Sequence, residues 1–150
     1  MARISRIRTA RSSWGGRAVL FICGMEELKY KELTGIVIGC SMRVHTELGA
    51  GFPEVVYQRC LAIELRRAGI LFEAEVHLTL FYREEPVGSR RVDFLVEGIV
   101  LVELKATTEL TALHHAQIIN YLKAYHLEVG LLLNFGQESL HYKRFVKTKQ

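Results

Sequence analysis

Asp93, Glu103 and Lys105 stand within one apolar stretch of this 150-residue chain. Arg91 to Lys105 reads R-V-D-F-L-V-E-G-I-V-L-V-E-L-K, with Asp93 near its start and Glu103-Leu104-Lys105 at its end. Val92, Phe94, Leu95, Val96, Ile99, Val100, Leu101, Val102 and Leu104 are the residue types that fill a sheet covered on both faces. Burying carboxylates there is costly unless something offsets their desolvation, and a divalent metal ion would do so. Mg2+ takes oxygen ligands, keeps several waters, and is held by one or two carboxylates plus substrate phosphate. Held by Asp93 and Glu103, Mg2+ or Mn2+ would polarise a phosphodiester and lower the pKa of a bound water. Lys105 would lie beside it, orienting the water or stabilising charge on the phosphate oxygens. The hairpin alone equally allows both acids to be exposed and paired with Arg91 or Lys105.

Whether the acids can meet depends on one turn. Side chains alternate along a strand, so Glu103 and Lys105 share a face. A three-residue loop, Glu97-Gly98-Ile99, sets Asp93 opposite Glu103. A two-residue loop at Glu97-Gly98 shifts the register by one and sends the acids to opposite faces. The chemistry therefore requires a three-residue or bulged turn, with Gly98 at a positive φ.

The elements around this hairpin follow from periodicity. Leu33, Ile36, Val37, Cys40, Val44 and Leu48 mark an amphipathic helix from Lys29 to Leu48, ended by Gly49-Ala50-Gly51. Pro53 suits the first turn of a second helix running to Ala68, with Val56, Cys60, Ile63 and Leu65 on its buried side. Ile70 to Tyr82 alternates as a half-buried strand, and Arg83 to Gly88 reads as a polar turn. Thr111 opens a helix to Tyr125, Glu128 to Asn134 is a short apolar strand, and Leu140 to Val146 a charged edge strand. The order ααβββαββ predicts an α+β (α/β) domain, a mixed sheet of about five strands flanked by helices.

Four motifs in order resemble the PD-(D/E)XK nuclease superfamily and, within it, the GxxExxY proteins. Gly51-Phe52-Pro53-Glu54-Val55-Val56-Tyr57 matches that name at each fixed position. Arg91-Val92-Asp93, Glu103-Leu104-Lys105 and His114-His115-Ala116-Gln117 with Tyr121-Leu122 follow. Val92 stands where the superfamily has Pro. The resemblance spans Leu33 to Val146 and implies a restriction-endonuclease-like core. It implies that Asp93 and Glu103 are metal ligands, Lys105 catalytic, and that Glu54 points into the site to assist the metal or its water. It also implies that Gln117 lies against the site, its amide holding water or phosphate. Gly51, Tyr57, Arg91, His114 and Tyr121 are expected to support. Competing readings are a helix-dipole acid for Glu54 and a solvated helix face for Gln117 and Tyr121.

Composition sets bounds. The chain is 49% hydrophobic and 24% charged, which fits one globular domain, residues 25–150. The net charge of +4 comes from Arg3, Arg6, Arg8, Arg11 and Arg17, so residues 25–150 sum to −1. Residues 1–24 read as a basic, disordered extension, and the basic pI says nothing of a nucleic-acid surface on the domain. Cys23, Cys40 and Cys60 show no C-x-x-C spacing and read as reduced thiols of a cytoplasmic protein. No Walker loop, dinucleotide fingerprint or G-x-S-x-G is present. The expected activity is Mg2+- or Mn2+-dependent phosphodiester hydrolysis in DNA rather than RNA. The rival is a catalytically quiet nuclease-fold module that binds nucleic acid or a protein. The domain is small for a recognition element, which a homodimer or protein partner would supply.

Overall fold

Leucine and valine line both sides of the two central strands, and helices cover each side. The computed structural model describes residues 17–147, with side chains from Tyr30 onward. Its elements are α1 (Arg17–Leu48), α2 (Glu54–Arg67), β1 (Phe72–Tyr82), β2 (Glu85–Val96), β3 (Val100–Lys105), α3 (Ala112–Ala124), β4 (Val129–Asn134) and β5 (His141–Val146). This is the predicted order, ααβββαββ. The sheet runs β1-β2-β3-β4-β5, with β3 and β4 parallel and every other pair antiparallel.

Strand alternation divides the core into two layers. Val100, Val102 and Leu104 of β3, with Leu131 and Leu133 of β4, pack against Val37, Cys40 and Val44 of α1 and Tyr57, Leu61 and Leu65 of α2. Leu101 and Leu132 point the other way, onto Ile118, Tyr121 and Leu122 of α3. Thr111 caps α3: its hydroxyl accepts from His114 N–H while His114 Nδ1 accepts from Thr111 N–H.

Three local expectations change. Helix α1 begins at Arg17 rather than Lys29. The predicted extension lies outside the described residues as far as residue 16. In α2 the buried residues are Tyr57, Leu61, Ala62 and Leu65, one to two turns apart, and Ile63 is exposed. The predicted turn over Arg83–Gly88 contracts to Arg83 and Glu84, both at positive φ (48° and 69°), and β2 already starts at Glu85. Pro86, which has no N–H to give, sits opposite Phe81 beside a register shift at Leu80/Phe81.

Strands β1 and β2 also change faces together. Phe72, Phe94 and Val96 belong to the α1/α2 layer, whereas Val76, Leu78 and Val92 belong to the α3 layer. Regular alternation would put Val92 and Phe94 on one face. The switch falls at Glu75, which has φ 55°, and at Asp93, between the paired positions 74↔94 and 76↔92. Beyond it β2 no longer pairs with β3, whose partners on β2 are Phe94, Leu95 and Val96. The far part of β1–β2 is a two-stranded ribbon extending past the sheet.

Candidate active site

The β2–β3 turn has the register the acids require. Phe94 pairs with Val102, Leu95 with Leu101 and Val96 with Val100, leaving Glu97, Gly98 and Ile99 as the loop. Glu97 and Gly98 take φ 52° and 67°, and Ile99 N–H donates to Val96 O at 3.0 Å, making Ile99 the extra residue of a bulged turn. Continued along both strands, that register sets Asp93 against Glu103. The strands part there, and Asp93 Oδ2 accepts the Leu104 N–H at 2.7 Å in place of a main-chain carbonyl. The face switch in β2 thus turns a backbone pairing position into a carboxylate held at the fork.

Asp93 and Glu103 are neighbours, each acting on the other's titration. Glu103 is 5% exposed, and its Oε1 is buried without a hydrogen-bond partner. Burial first, then the Asp93 charge, push its carboxyl up to about 8, with Lys105 opposing. Asp93 is also raised by burial, held back by the Leu104 N–H and then by Lys105 and Arg91. Two desolvated carboxylates, one with an orphaned oxygen, form a pair short of positive charge, and a divalent cation fits it. Among the described residues no third His, Cys, Asp or Glu joins them as a ligand set, so water and substrate oxygens would complete such an ion's shell.

Glu54 stands on the first turn of α2, after the Pro53 N-cap. The residue is exposed overall, yet burial of the carboxyl raises it, with Lys105 lowering and Asp93 raising it further. It therefore sits at the rim, within electrostatic reach of the pair. Tyr57 is fully buried; its hydroxyl donates to Gly49 O (2.7 Å) and accepts from Phe52 N–H (3.1 Å), and its ring stacks on Phe135 at 4.6 Å. It ties the Gly49–Phe52 loop, where Gly51 takes φ 109°, to the helix that carries Glu54.

The Lys105 main chain is fixed by Phe135 N–H donating to its carbonyl (2.8 Å), and its side chain reaches a cavity of about 540 Å3 beside α3. Gln117 lines that cavity and donates to Tyr121 Oη at 2.7 Å. His114 lines it too, although its Nδ1 is occupied by the helix cap. His115 packs instead near Phe145 on the β5 side. Arg91 pairs with Glu75 at 3.1 Å while still influencing Asp93 and Glu54.

Sequence reasoning missed three residues. Gln58 Nε2 lies 3.5 Å from Asp93 Oδ1; it is one helical turn from Glu54, a spacing that could have flagged it. Arg90 lines the cavity with Lys105. Buried Asn134 accepts from Thr107 N–H and Gly136 N–H and donates to Thr107 O, pinning the chain just after Lys105. No local signal marks the last two, since both follow from strand pairing.

A five-stranded mixed sheet between helices, with acids at a strand fork and a lysine two residues on, defines a restriction-endonuclease-like α+β fold. The family model of the PD-(D/E)XK nuclease superfamily matches residues 31–145, and the chain belongs to that superfamily. Among solved structures, the crystal structure of SSO0001 is similar at 17% identity and a TM-score of 0.49. The match covers 63% of this chain and 50% of that one, so this chain aligns with half the length of that protein. No curated protein matches the chain. No helix among the described residues is long and apolar enough to cross a membrane.

Proposed function

We propose that this protein is a Mg2+- or Mn2+-dependent nuclease of the GxxExxY type, hydrolysing phosphodiester bonds in DNA. The observation that carries this reading is half-buried Asp93 beside buried Glu103, whose Oε1 has no partner, with Lys105 two residues on. Superfamily membership supports it. The free thiols of Cys40 and Cys60 fit a reducing compartment, in keeping with a cytoplasmic location.

In this reading Asp93 and Glu103 hold the ion, which supplies Lewis acidity and an acidified water when bound. The Leu104 N–H and Gln58 keep the Asp93 carboxylate in place. Lys105 sets its ammonium against the phosphate oxygens, where charge grows as the bond to the leaving oxygen breaks. Glu54, at the rim, takes up the proton of the attacking water. Gln117, oriented by Tyr121, holds water or phosphate from the α3 side.

The test is cleavage of DNA by purified protein in Mg2+ or Mn2+. Wild type should cut, and Asp93→Asn or Lys105→Ala should lower the rate at least about a hundredfold. Equal cleavage by all three would mean a contaminant and defeat the assignment. The charge of −1 over residues 25–150 favours the second reading, a quiet binding module, because nonspecific duplex binding draws on a basic surface. Calorimetric titration with Mn2+ separates the two. Binding lost in Asp93→Asn supports the nuclease; no binding by wild type supports the quiet module.

A further inference from the structure

The cavity that Lys105 enters is not the acid pair itself: none of Glu54, Asp93 and Glu103 lines it. It lies between the β1–β2 ribbon, which contributes Leu80 and Arg90, and α3, which contributes Gln117, Asn120 and Tyr121. Lys105 is common to both places, so the cavity opens directly beside the acids. Its volume, about 540 Å3, falls within the usual range of small-ligand pockets.

Its lining has a specific chemistry. Arg90 pairs across the ribbon with Leu78, on the side of β2 that faces α3. Neither Arg90 nor Lys105 has a carboxylate within ion-pair distance among the described residues, whereas the neighbouring Arg91 is paired with Glu75. Arg90, together with Lys105 where the cavity meets the acids, suits phosphate oxygens on a lining that holds no carboxylate, and Arg does so through its planar fork of donors. The opposite wall offers amides at Gln117 and Asn120 and, at 77% exposure, the apolar side chain of Leu113. Amides and an apolar surface are what the edge and the face of a nucleobase require.

We propose that this cavity receives the nucleotide next to the scissile phosphate, with Arg90 on its flanking phosphate and its base against Leu113 and the amides. This rests on the nuclease reading and extends it to substrate class. A base inside a duplex must first be unstacked and unpaired to enter this cleft, a cost that a single strand does not carry, so the preferred substrate is single-stranded or has unpaired nucleotides at the cut.

The test uses the full chain with Mn2+, one labelled DNA oligonucleotide as a single strand and as a blunt duplex, and Arg90→Ala and Arg90→Lys. The expected result is at least tenfold faster cleavage of the single strand, as an order-of-magnitude expectation. Arg90→Ala should raise KM for the single strand about tenfold while moving kcat far less, with partial recovery in Arg90→Lys. Duplex cleaved as well as single strand, or an unchanged KM in Arg90→Ala, overturns the cavity and leaves the nuclease standing. If nothing is cleaved, fluorescence anisotropy of the same single strand decides. Binding weakened about tenfold by Arg90→Ala keeps the cavity and removes the nuclease. Binding unaffected by the substitution, or absent from wild type, removes both.

Discussion

Glu103 and Asp93 are neighbours without an ion-pair partner among the described residues, and that has a measurable cost when no metal is bound. The folded Glu103 carboxyl titrates near 8, above its ordinary 4.5. Below the ordinary value both folded and unfolded chains hold the proton, and stability is fully present. As pH rises past it, the unfolded chain ionises while the fold must keep the proton or carry a buried charge. Stability is therefore lost progressively until pH passes the folded value. The melting temperature of metal-free protein should fall between pH 5 and 9, and Glu103→Gln should flatten that fall. Added Mn2+ should raise the melting temperature more at pH 8 than at pH 5, because it replaces the proton as the pair's counter-charge. An equal rise at both pH values would place the metal elsewhere.

The strand ends that carry the catalytic candidates are held by backbone contacts rather than by propensity. Asn134 bridges β4 to Thr107, and Gly136 lies against the same segment, where a Cβ would come within 2.3–2.6 Å of Thr107 and Ala106 backbone atoms. Backbone cannot yield as a flexible side chain does, so Gly136→Ala must displace the chain following Lys105. The expected loss is about 3 kcal/mol in urea unfolding. Gly98→Ala, at φ 67° with open space around its Cβ position, should cost only about 1 kcal/mol. Comparable losses would show that Gly136 has room the close approach denies it. The same logic explains the face switch in the β1–β2 ribbon. Glu75 in the left-handed region re-aims the strand, and Asp93 takes the pairing position that β2 vacates.

Across the whole chain, charge and chemistry are separated. Residues 1–16 carry four arginines, Arg3, Arg6, Arg8 and Arg11, and every candidate site residue lies between Gly51 and Tyr121. Deleting residues 1–16 should leave kcat in Mn2+ within about twofold, whatever it does to weak, salt-sensitive association. A loss beyond tenfold would place those arginines at the substrate. The sheet is also unevenly supported. Strands β3 and β4 are buried between helix layers, while much of the ribbon is exposed, with Phe81, Tyr82 and Val87 open to solvent. The site lies where the buried sheet meets that ribbon.

Periodicity was enough for the element order, because covered strands and amphipathic helices each leave a repeat in the apolar residues. Counting residues between Asp93 and Glu103 was enough to state which turn would let them meet, since side chains alternate strictly along a regular strand. Irregular backbone escaped that reading. The two-residue β1–β2 turn and the face switch at Glu75 and Asp93 rest on Arg83, Glu84 and Glu75 at positive φ, a conformation uncommon for these residue types and so not signalled by them. Gln58, Arg90 and Asn134 escaped it for a different reason. Their neighbours are 35, 15 and 27 residues away in the chain, at Asp93, Lys105 and Thr107, and only packing the layers brings them together. A linear pattern records what one element presents, whereas a site shared by two strands and two helices exists only after tertiary contacts have formed.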